Sequence, residues 1–206
     1  MSTAAQKVRD LLEQDRPLVL GGVYDGLSTR IAHRAGFEVL FIGGFSVAAT
    51  LLGEPDFGYL TQTEMADTAR RVCRLTDRPV LVDADTGYGN ALNVIRTVRL
   101  YQEAGAAGLF LEDQVWPKRC GHMSGKRIVE RGEWLGKLRA VLEMRGERDL
   151  FELGDRLGCF DEDRVGAEVA CRHAARDCLV ETDSAARIGA RDEEEVALAT
   201  RLENGA

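Results

Sequence analysis

The sequence predicts an α/β protein with a parallel sheet covered by helices. Four short apolar runs show no polar alternation, which is typical of strands buried on both faces. Segments with helical periodicity separate the runs, and strand-to-strand spacings of about 20 to 40 residues fit βα units. Acidic and glycine-rich positions follow the second, third and fourth runs. This favours a (β/α)8 barrel with its site at that edge, although a doubly wound sheet remains possible.

Each strand is identified by its apolar run and by the residues that end it. Gly21-Gly22 and Gly43-Gly44 end the first two runs, the third ends at Asp83, and Glu112 follows the fourth. The predicted strands are 17–20, 39–42, 79–83 and 108–111.

The predicted helices lie between and after these strands. Asp25 is the expected N-cap of the first, which runs through Arg34, and Gly36 is its expected left-handed C-terminal residue. The other three span about 62–75, 91–104 and 130–144. Helical spacing predicts three buried faces: Met65, Ala69, Val72 and Cys73; Ile95, Val98 and Tyr101; and Leu135, Leu138, Val141 and Leu142.

Composition excludes several classes of protein. The chain has 206 residues, a net charge of −7 and no basic stripe, so it suits one buried core and makes nucleic acid a poor partner. It has no apolar run of about 18 residues and no signal-peptide core, which argues against a membrane span and secretion. Five cysteines without a Cys-x-x-Cys pair favour a reducing cytoplasm.

A change of composition near residue 150 predicts two regions. Residues 151–206 hold 14 acidic and seven basic residues and account for the whole net charge, whereas residues 1–150 are balanced. We expect 1–150 to form four βα units and 151–206 to be an atypical acidic tail of uncertain structure. Because the tail resembles neither strand nor βα unit, both edges of the four-stranded sheet are expected to be open.

Carboxylates cluster after the strands. Asp83 and Asp85 are two residues apart, so both side chains can face one small volume, and Glu112 and Asp56 lie at neighbouring strand ends. Converging carboxylates repel each other unless their pKa values rise or a cation binds. Oxygen-only ligands suit a hard cation, which predicts Mg²⁺, with Mn²⁺ as a substitute.

A basic loop with a cysteine follows the fourth strand. Lys118 and Arg119 precede Cys120, and His122 follows after a glycine. Neighbouring cations lower the pKa of a thiol, and a histidine can exchange its proton. The loop is therefore either a catalytic lid or a solvated basic segment with an incidental cysteine.

Six segments in this order resemble the isocitrate lyase/phosphoenolpyruvate mutase superfamily over about residues 5–145. They are Val-Tyr-Asp-Gly-Leu-Ser (23–28), Phe-Ile-Gly-Gly-Phe-Ser-Val-Ala (41–48), Gly-Glu-Pro-Asp (53–56), Asp-Ala-Asp-Thr-Gly-Tyr-Gly (83–89), Glu-Asp-Gln (112–114) and Lys-Arg-Cys-Gly-His (118–122).

The resemblance implies a (β/α)8 barrel that binds Mg²⁺ and a small 2-oxo or 2-hydroxy carboxylate. Asp83, Asp85 and Glu112 would hold the metal, with Asp56 nearby. The loop resembles that of C–C bond lyases, in which its cysteine handles a proton on the departing carbanion. The residues expected near substrate are Tyr24, Phe41, Gly43, Gly44 and Phe45, and the expected catalytic residues are Cys120, His122, Lys118 and Arg119.

The resemblance thus predicts a Mg²⁺-dependent lyase of the methylisocitrate or dimethylmalate type that passes through an enolate-like intermediate. The alternatives are an oxo-acid decarboxylase or hydrolase, a phosphonomutase, or a truncated inactive member, because family members are longer. The catalytic base stays open between Tyr24 and a metal-bound hydroxide. A homo-oligomer is expected for the full-length form.

Overall fold

The structure, a computed structural model, describes residues 3–121 and 123–144 and the backbone of residues 145, 151–152 and 169–170. The helices are α1 (Ala4–Leu12), α2 (Gly26–Ala35), α3 (Gly44–Val47, continued by a π-helical segment Ala48–Leu52), α4 (Gln62–Cys73), α5 (Ala91–Ala104) and α6 (Arg131–Arg145). The strands are β1 (Leu18–Val23), β2 (Val39–Ile42), β3 (Val80–Asp83), β4 (Gly108–Phe110), β5 (Phe151–Glu152) and β6 (Val169–Ala170).

The sheet is wound in one direction. Its strand order is β5-β4-β3-β2-β1-β6, and β1 to β5 are all parallel. Right-handed crossovers that always step the same way place their helices on one face. The core on that face draws residues from α2, α4, α5 and α6. The prediction of a parallel α/β sheet is confirmed. Strands β1 to β5 follow one another across the sheet without the reversal of strand order that a doubly wound sheet requires.

The opposite face of the sheet is apolar as well. Val39, Phe41 and Leu81 project there and pack with Ala5 and Val8 of the amphipathic α1. This helix was not among the predicted elements, although it begins at a Thr3 N-cap. Both faces of the central strands are therefore buried, as their uninterrupted apolar runs predict. Among the described residues, no helix is both long and apolar enough to cross a membrane.

The ends of α2 follow the sequence prediction. The Asp25 carboxylate accepts a hydrogen bond from the backbone N–H of Ser28 at 2.7 Å, and Gly36 adopts φ of 88° after the last turn. A left-handed residue at that position closes the helix with bonds to its last carbonyls. These two caps set the direction in which the chain enters β2.

The first strand is longer than predicted, because Gly21 and Gly22 lie within β1. A Cβ at Gly21 would lie 2.8 Å from the Phe37 ring. The glycine therefore permits close packing of Phe37 on the strand and does not mark a turn.

The buried helix faces are confirmed for α4 and α5, in which only Cys73 and Ile95 are half-buried, and need correction for α6. In α5, Val94 is fully buried and Ile95 is half-buried. In α6, Leu142 is 37% exposed, and the buried positions are Lys137, Ala140, Val141 and Met144. The helix turns a lysine inward because the Lys137 ammonium donates to the Thr86 carbonyl at 3.1 Å.

The edges of the four-stranded sheet are not open, contrary to the prediction. The backbone of β5 pairs with β4, and that of β6 pairs antiparallel with Leu18 and Val19 of β1. Two-residue strands from beyond residue 150 thus cover both edges. The predicted division of the chain at residue 150 stays a prediction.

We predict that Cys73 resists alkylation in the folded protein. Burial raises the pKa of its thiol to about 12, so only about one molecule in 10⁴ carries the reactive thiolate at pH 8. Iodoacetamide labelling with peptide mass analysis should show Cys73 reacting far more slowly in the native protein than in urea. Equal labelling rates in both conditions would show that this face of α4 is not packed.

Candidate active site

Asp83 stands at the end of β3 with its carboxylate held by two backbone amides. Oδ1 accepts the N–H of Asp85 at 2.8 Å, and Oδ2 accepts the N–H of Gly44 at 2.9 Å. A Cβ at Gly44 would lie 3.0 Å from Oδ2 of Asp83. A glycine after β2 therefore lets the backbone approach the carboxylate closely. Sequence reasoning placed both residues at the site but did not foresee this bond.

Asp85 lies in the turn after β3 and forms an ion pair with Lys118. Its backbone has φ of 47°, and its side chain is buried. Oδ1 lies 2.6 Å from Lys118 Nζ but, within the described part of the chain, accepts no hydrogen bond of normal geometry. Lys118 Nζ also donates to Asp56 Oδ2 at 2.8 Å. One ammonium thus joins the loops that follow β2 and β4 to the turn after β3.

Glu112, just beyond β4, completes the cluster. Its backbone N–H donates to the Asp85 carbonyl at 2.7 Å, and its carboxylate accepts from Gln114 at 2.8 Å. Gln114 also bonds both backbone groups of Arg119, donating to its carbonyl and accepting its N–H. Gln114 therefore links Glu112 to the basic loop. Its position two residues after Glu112 is the one sequence signal that pointed to it.

The four carboxylates carry more negative charge than Lys118 balances. Burial and the charge of Asp83 raise the pKa of Asp85 to about 7, and the same two causes raise that of Glu112 to about 8. Burial would lower the pKa of Lys118, but the charges of the surrounding carboxylates outweigh it and raise this pKa above its ordinary value. The cluster therefore favours additional positive charge or protons.

The donor set fits a hard divalent cation by type and by charge. Asp83, Asp85 and Glu112 offer oxygen ligands, the chemistry that Mg²⁺ prefers. As they stand, no group of three acidic, cysteine or histidine side chains in the described segments converges as a metal site. Lys118 instead contacts Asp85. A cation bound here would share or replace the contact that the lysine makes.

The basic loop is only partly directed at the cluster. Lys118 is buried among the carboxylates, whereas Arg119 is exposed and donates to the Ser124 carbonyl within the loop. Cys120 is half-buried. Lys126 donates to the Gly121 carbonyl at 2.6 Å and so braces the loop. His122 lies outside the described residues.

The expected substrate-binding residues differ in exposure. Phe41 is buried and packs edge to face on Phe110, with the ring centroids 4.8 Å apart. Tyr24 is 37% exposed and Phe45 is 61% exposed. Gly43 is the N-cap of α3. The ring of Phe41 is therefore covered by its neighbours, whereas Phe45 and Tyr24 are accessible from solvent.

A separate cavity of about 380 Å³ lies beside the site. It shares Thr86, Gln114 and Lys137 with the surroundings of the cluster, but none of the four carboxylates lines it. We place the chemistry at the carboxylates, because the charge and the strand ends converge there.

The parallel order of β1 to β5, with carboxylates at the strand ends, defines an α/β protein that resembles part of a (β/α)8-barrel enzyme. The phosphoenolpyruvate phosphomutase family pattern matches residues 8–160, and the chain belongs to this family. A 2,3-dimethylmalate lyase from Eubacterium barkeri is 45% identical over 149 residues, which cover 72% of this chain and 51% of that protein. An oxaloacetate decarboxylase from Bradyrhizobium sp. is 41% identical over 196 residues, covering 95% of this chain and 67% of the relative.

Solved structures give the same family. An oxaloacetate acetylhydrolase in complex with the inhibitor 3,3-difluorooxalacetate superposes with a TM-score of 0.67 and 42% identity, covering 70% of this chain and 50% of that one. A phosphonopyruvate hydrolase complex with oxalate and Mg²⁺ gives a TM-score of 0.65 at 29% identity, covering 73% and 51%.

The extent of these matches bears on two expectations. The chain spans about half the length of the first curated relatives that it matches. The match to the decarboxylase nevertheless extends over most of residues 151–206, since it covers 95% of the chain. Similarity to members of the family is therefore not confined to residues 5–145, while the division of the chain at residue 150 stays a prediction.

We predict that Lys118→Met strongly destabilises the metal-free protein. The substitution leaves Asp56 and Asp85 buried without their cation, which typically costs about 3–5 kcal/mol. Urea unfolding at pH 8 with EDTA should show a loss of that order. The matched control Lys7→Met removes an exposed ammonium on α1 and should change the free energy of unfolding by less than about 0.5 kcal/mol.

The loss in Lys118→Met should shrink as the pH is lowered. Asp85 and Glu112 have ordinary pKa values of 3.8 and 4.5 and folded values of about 7 and 8. Their neutral forms stabilise the fold below about pH 4, and this contribution is lost as the pH rises to 8. Removing Lys118 makes the neutral forms more important, so the variant should recover stability near pH 5. A deficit that is the same at pH 5 and pH 8 would contradict the charge argument.

Proposed function

We propose that this chain carries the metal-binding carboxylates and the proton-donating loop cysteine, Cys120, of a Mg²⁺-dependent C–C bond lyase. Its substrate class would be small 2-hydroxy di- or tricarboxylates of the methylisocitrate or dimethylmalate type. The observation that carries the proposal is the cluster of Asp56, Asp83, Asp85 and Glu112 around a single described ammonium, that of Lys118. Such a site can accept a cation together with an anionic substrate.

The fold supports this proposal. Four consecutive βα units, with all their helices on one face, correspond to consecutive units of a barrel wall. The carboxylates lie at the carboxyl ends of these strands, where barrel enzymes place their chemistry. Assembly into a homo-oligomer stays a prediction.

Asp83, Asp85 and Glu112 would hold Mg²⁺, which as a Lewis acid stabilises negative charge that develops on substrate oxygens. Asp83 is already fixed by two backbone amides, so its oxygens need little reorganisation. Lys118 would attract the substrate carboxylate and keep the start of the loop beside the cluster. The expected contact of Phe41 with substrate stays a prediction, because its ring packs on Phe110.

Cleavage requires a base on the 2-hydroxyl and an acid for the departing carbon. The bond between the hydroxyl-bearing carbon and its neighbour breaks, the hydroxyl proton goes to the base, and the bonding electron pair stays on the departing carbon. We assign the acid to the Cys120 thiol, which protonates that carbon while Arg119 supplies positive potential. His122 would exchange the proton of the thiol. Tyr24 is accessible and stays the candidate base on this chain.

A second candidate function is decarboxylation or hydrolysis of an oxo acid at the same site. The observation in its favour is the long match to an oxaloacetate decarboxylase, which covers 95% of this chain. Phosphonomutase chemistry and an inactive family member are the remaining alternatives. Assays of 2,3-dimethylmalate, 2-methylisocitrate and oxaloacetate, each with Mg²⁺ and with EDTA, separate these possibilities.

We predict that Cys120→Ser lowers kcat for lyase cleavage at least about a hundredfold, since a hydroxyl is a much weaker acid than a thiol. Mg²⁺ affinity should hardly change, because the loop residue is not among the proposed ligands. Cys73→Ala, which removes a thiol from the packed face of α4, is the control and should retain kcat.

Near-normal lyase turnover in Cys120→Ser would remove the thiol from the chemistry. Turnover of oxaloacetate alone would favour the second function. No Mg²⁺-dependent turnover of any of the three acids by the wild-type chain would contradict both functions for this chain.

A further inference from the structure

Three buried side chains donate to backbone carbonyls of the turn that carries Asp83 and Asp85. The Tyr101 hydroxyl donates to the Asp83 carbonyl at 2.9 Å, and the Lys137 ammonium donates to the Thr86 carbonyl at 3.1 Å. The Thr97 hydroxyl lies 3.3 Å from the Gly87 carbonyl. Tyr101 and Thr97 come from α5 and Lys137 from α6. Two helices behind the sheet thus hold the carbonyls on both sides of Asp85.

The turn needs such support because its backbone is strained. Asp85 has φ of 47° and Tyr88 has φ of 61°, in the left-handed region that non-glycine residues rarely occupy. Each such residue costs about 1 kcal/mol or more and persists only where its surroundings enforce it. This backbone conformation is what places the Asp85 carboxylate beside Lys118. Relaxation of the turn would move the carboxylate away from the cluster.

Tyr101 is a buried residue whose hydroxyl donates a hydrogen bond to the end of β3. Its side chain is fully buried, and the Tyr88 hydroxyl lies 3.4 Å from its own. Burial raises the pKa values of both phenols well above their ordinary value, so both remain neutral donors. Phenylalanine would fill the same volume, and packing therefore does not explain the hydroxyl.

Lys137 is the second unexpected group. A lysine is rarely fully buried, yet this one is only 3% exposed. Its ammonium also forms an ion pair with the more exposed carboxylate of Glu133, with Nζ and Oε1 3.2 Å apart. Its ammonium reaches from α6 to the carbonyl of Thr86, the residue next to Asp85. A methionine would pack as well at that position without the cost of burying a charge. The hydrogen bond from the Lys137 ammonium to the turn is therefore what a charged side chain adds at this position.

We propose that Tyr101 and Lys137 are positioning residues, which fix the carboxylates of Asp83 and Asp85 by holding the backbone on either side of them. The inference rests on the proposed function, because it assigns these residues to the same metal and substrate site. Neither side chain contacts the reacting atoms. Their effect is transmitted through the Asp83 and Thr86 carbonyls.

Amide hydrogen exchange tests the proposal without metal or substrate. The N–H groups of Gly44 and Asp85 both donate to the Asp83 carboxylate, so their protection reports its position. The N–H of Glu112 donates to the Asp85 carbonyl and reports the turn. The N–H of Leu40, bonded to Pro79 within the sheet, reports global opening. Exchange is measured by NMR on metal-free protein.

We expect Tyr101→Phe to reduce protection of the Gly44 and Asp85 amides about tenfold or more relative to the Leu40 amide. Lys137→Met should do the same at the Asp85 and Glu112 amides, and Lys137→Arg should restore most of it. The matched control Tyr88→Phe removes the hydroxyl that faces Tyr101 but leaves the bond from Tyr101 to the Asp83 carbonyl. It should change the protection of the site amides relative to the Leu40 amide by less than about twofold. A fall that is equal at Leu40 and at the site amides would overturn the proposal and leave the two residues with a purely structural role.

A second arm measures Mn²⁺ affinity of the folded variants. Tyr101→Phe should bind Mn²⁺ about tenfold more weakly than Tyr88→Phe, and unchanged affinity would count against positioning. If the wild-type chain binds no Mn²⁺, the metal assignment of the proposed function fails, and the exchange ratios still decide the positioning role. If either variant does not fold, Thr97→Val and Thr97→Ser are compared instead. The valine removes the hydroxyl that lies beside the Gly87 carbonyl and the serine keeps it, and hydrogen exchange of the Asp85 amide is measured in both.

Discussion

The ion pairs of Lys118 with Asp56 and Asp85 are the interaction on which the rest of the site depends. They join three segments that are distant in sequence, namely the loops after β2 and β4 and the turn after β3. A buried ammonium between two buried carboxylates is stable only when all three groups stay together, since separating them leaves an uncompensated charge. The pairing therefore fixes the start of the basic loop and the orientation of Asp85 at once.

That pairing leaves the cluster short of positive charge. Asp83 and Glu112 add two carboxylates to the pair, and burial beside Asp83 keeps the pKa values of Asp85 and Glu112 near 7 and 8. The strand order explains why the groups meet, because consecutive parallel strands bring their carboxyl ends to one edge. A bound cation, or a proton on one of the carboxylates, can balance the excess negative charge. A metal-assisted lyase would use this affinity for a cation.

The sequence predicted the parallel sheet, the α2 caps and the strand-end carboxylates because these depend on local pattern. It ended the first strand before Gly21, since only the packing of Phe37 reveals why that strand residue is a glycine. It placed Lys118 in a basic loop without indicating its burial, and it left Lys137 out of the core, because apolar periodicity carries no information about where a long cationic side chain finds its partner. It also could not foresee the strands that cover the sheet edges, because a two-residue strand is too short to carry a recognisable apolar pattern.

The most direct test of the charge account is the number of protons released when Mg²⁺ binds. Calorimetric titration of the metal-free protein at pH 7 in two buffers of different ionisation enthalpy gives this number. At pH 7 Asp85, with a pKa of about 7, is about half protonated, and Glu112, with a pKa of about 8, is mostly protonated, so both must lose protons to bind a metal. The account predicts release of about one proton or more per Mg²⁺, decreasing towards zero near pH 9. Binding without proton release at pH 7, or no binding at all, would contradict it.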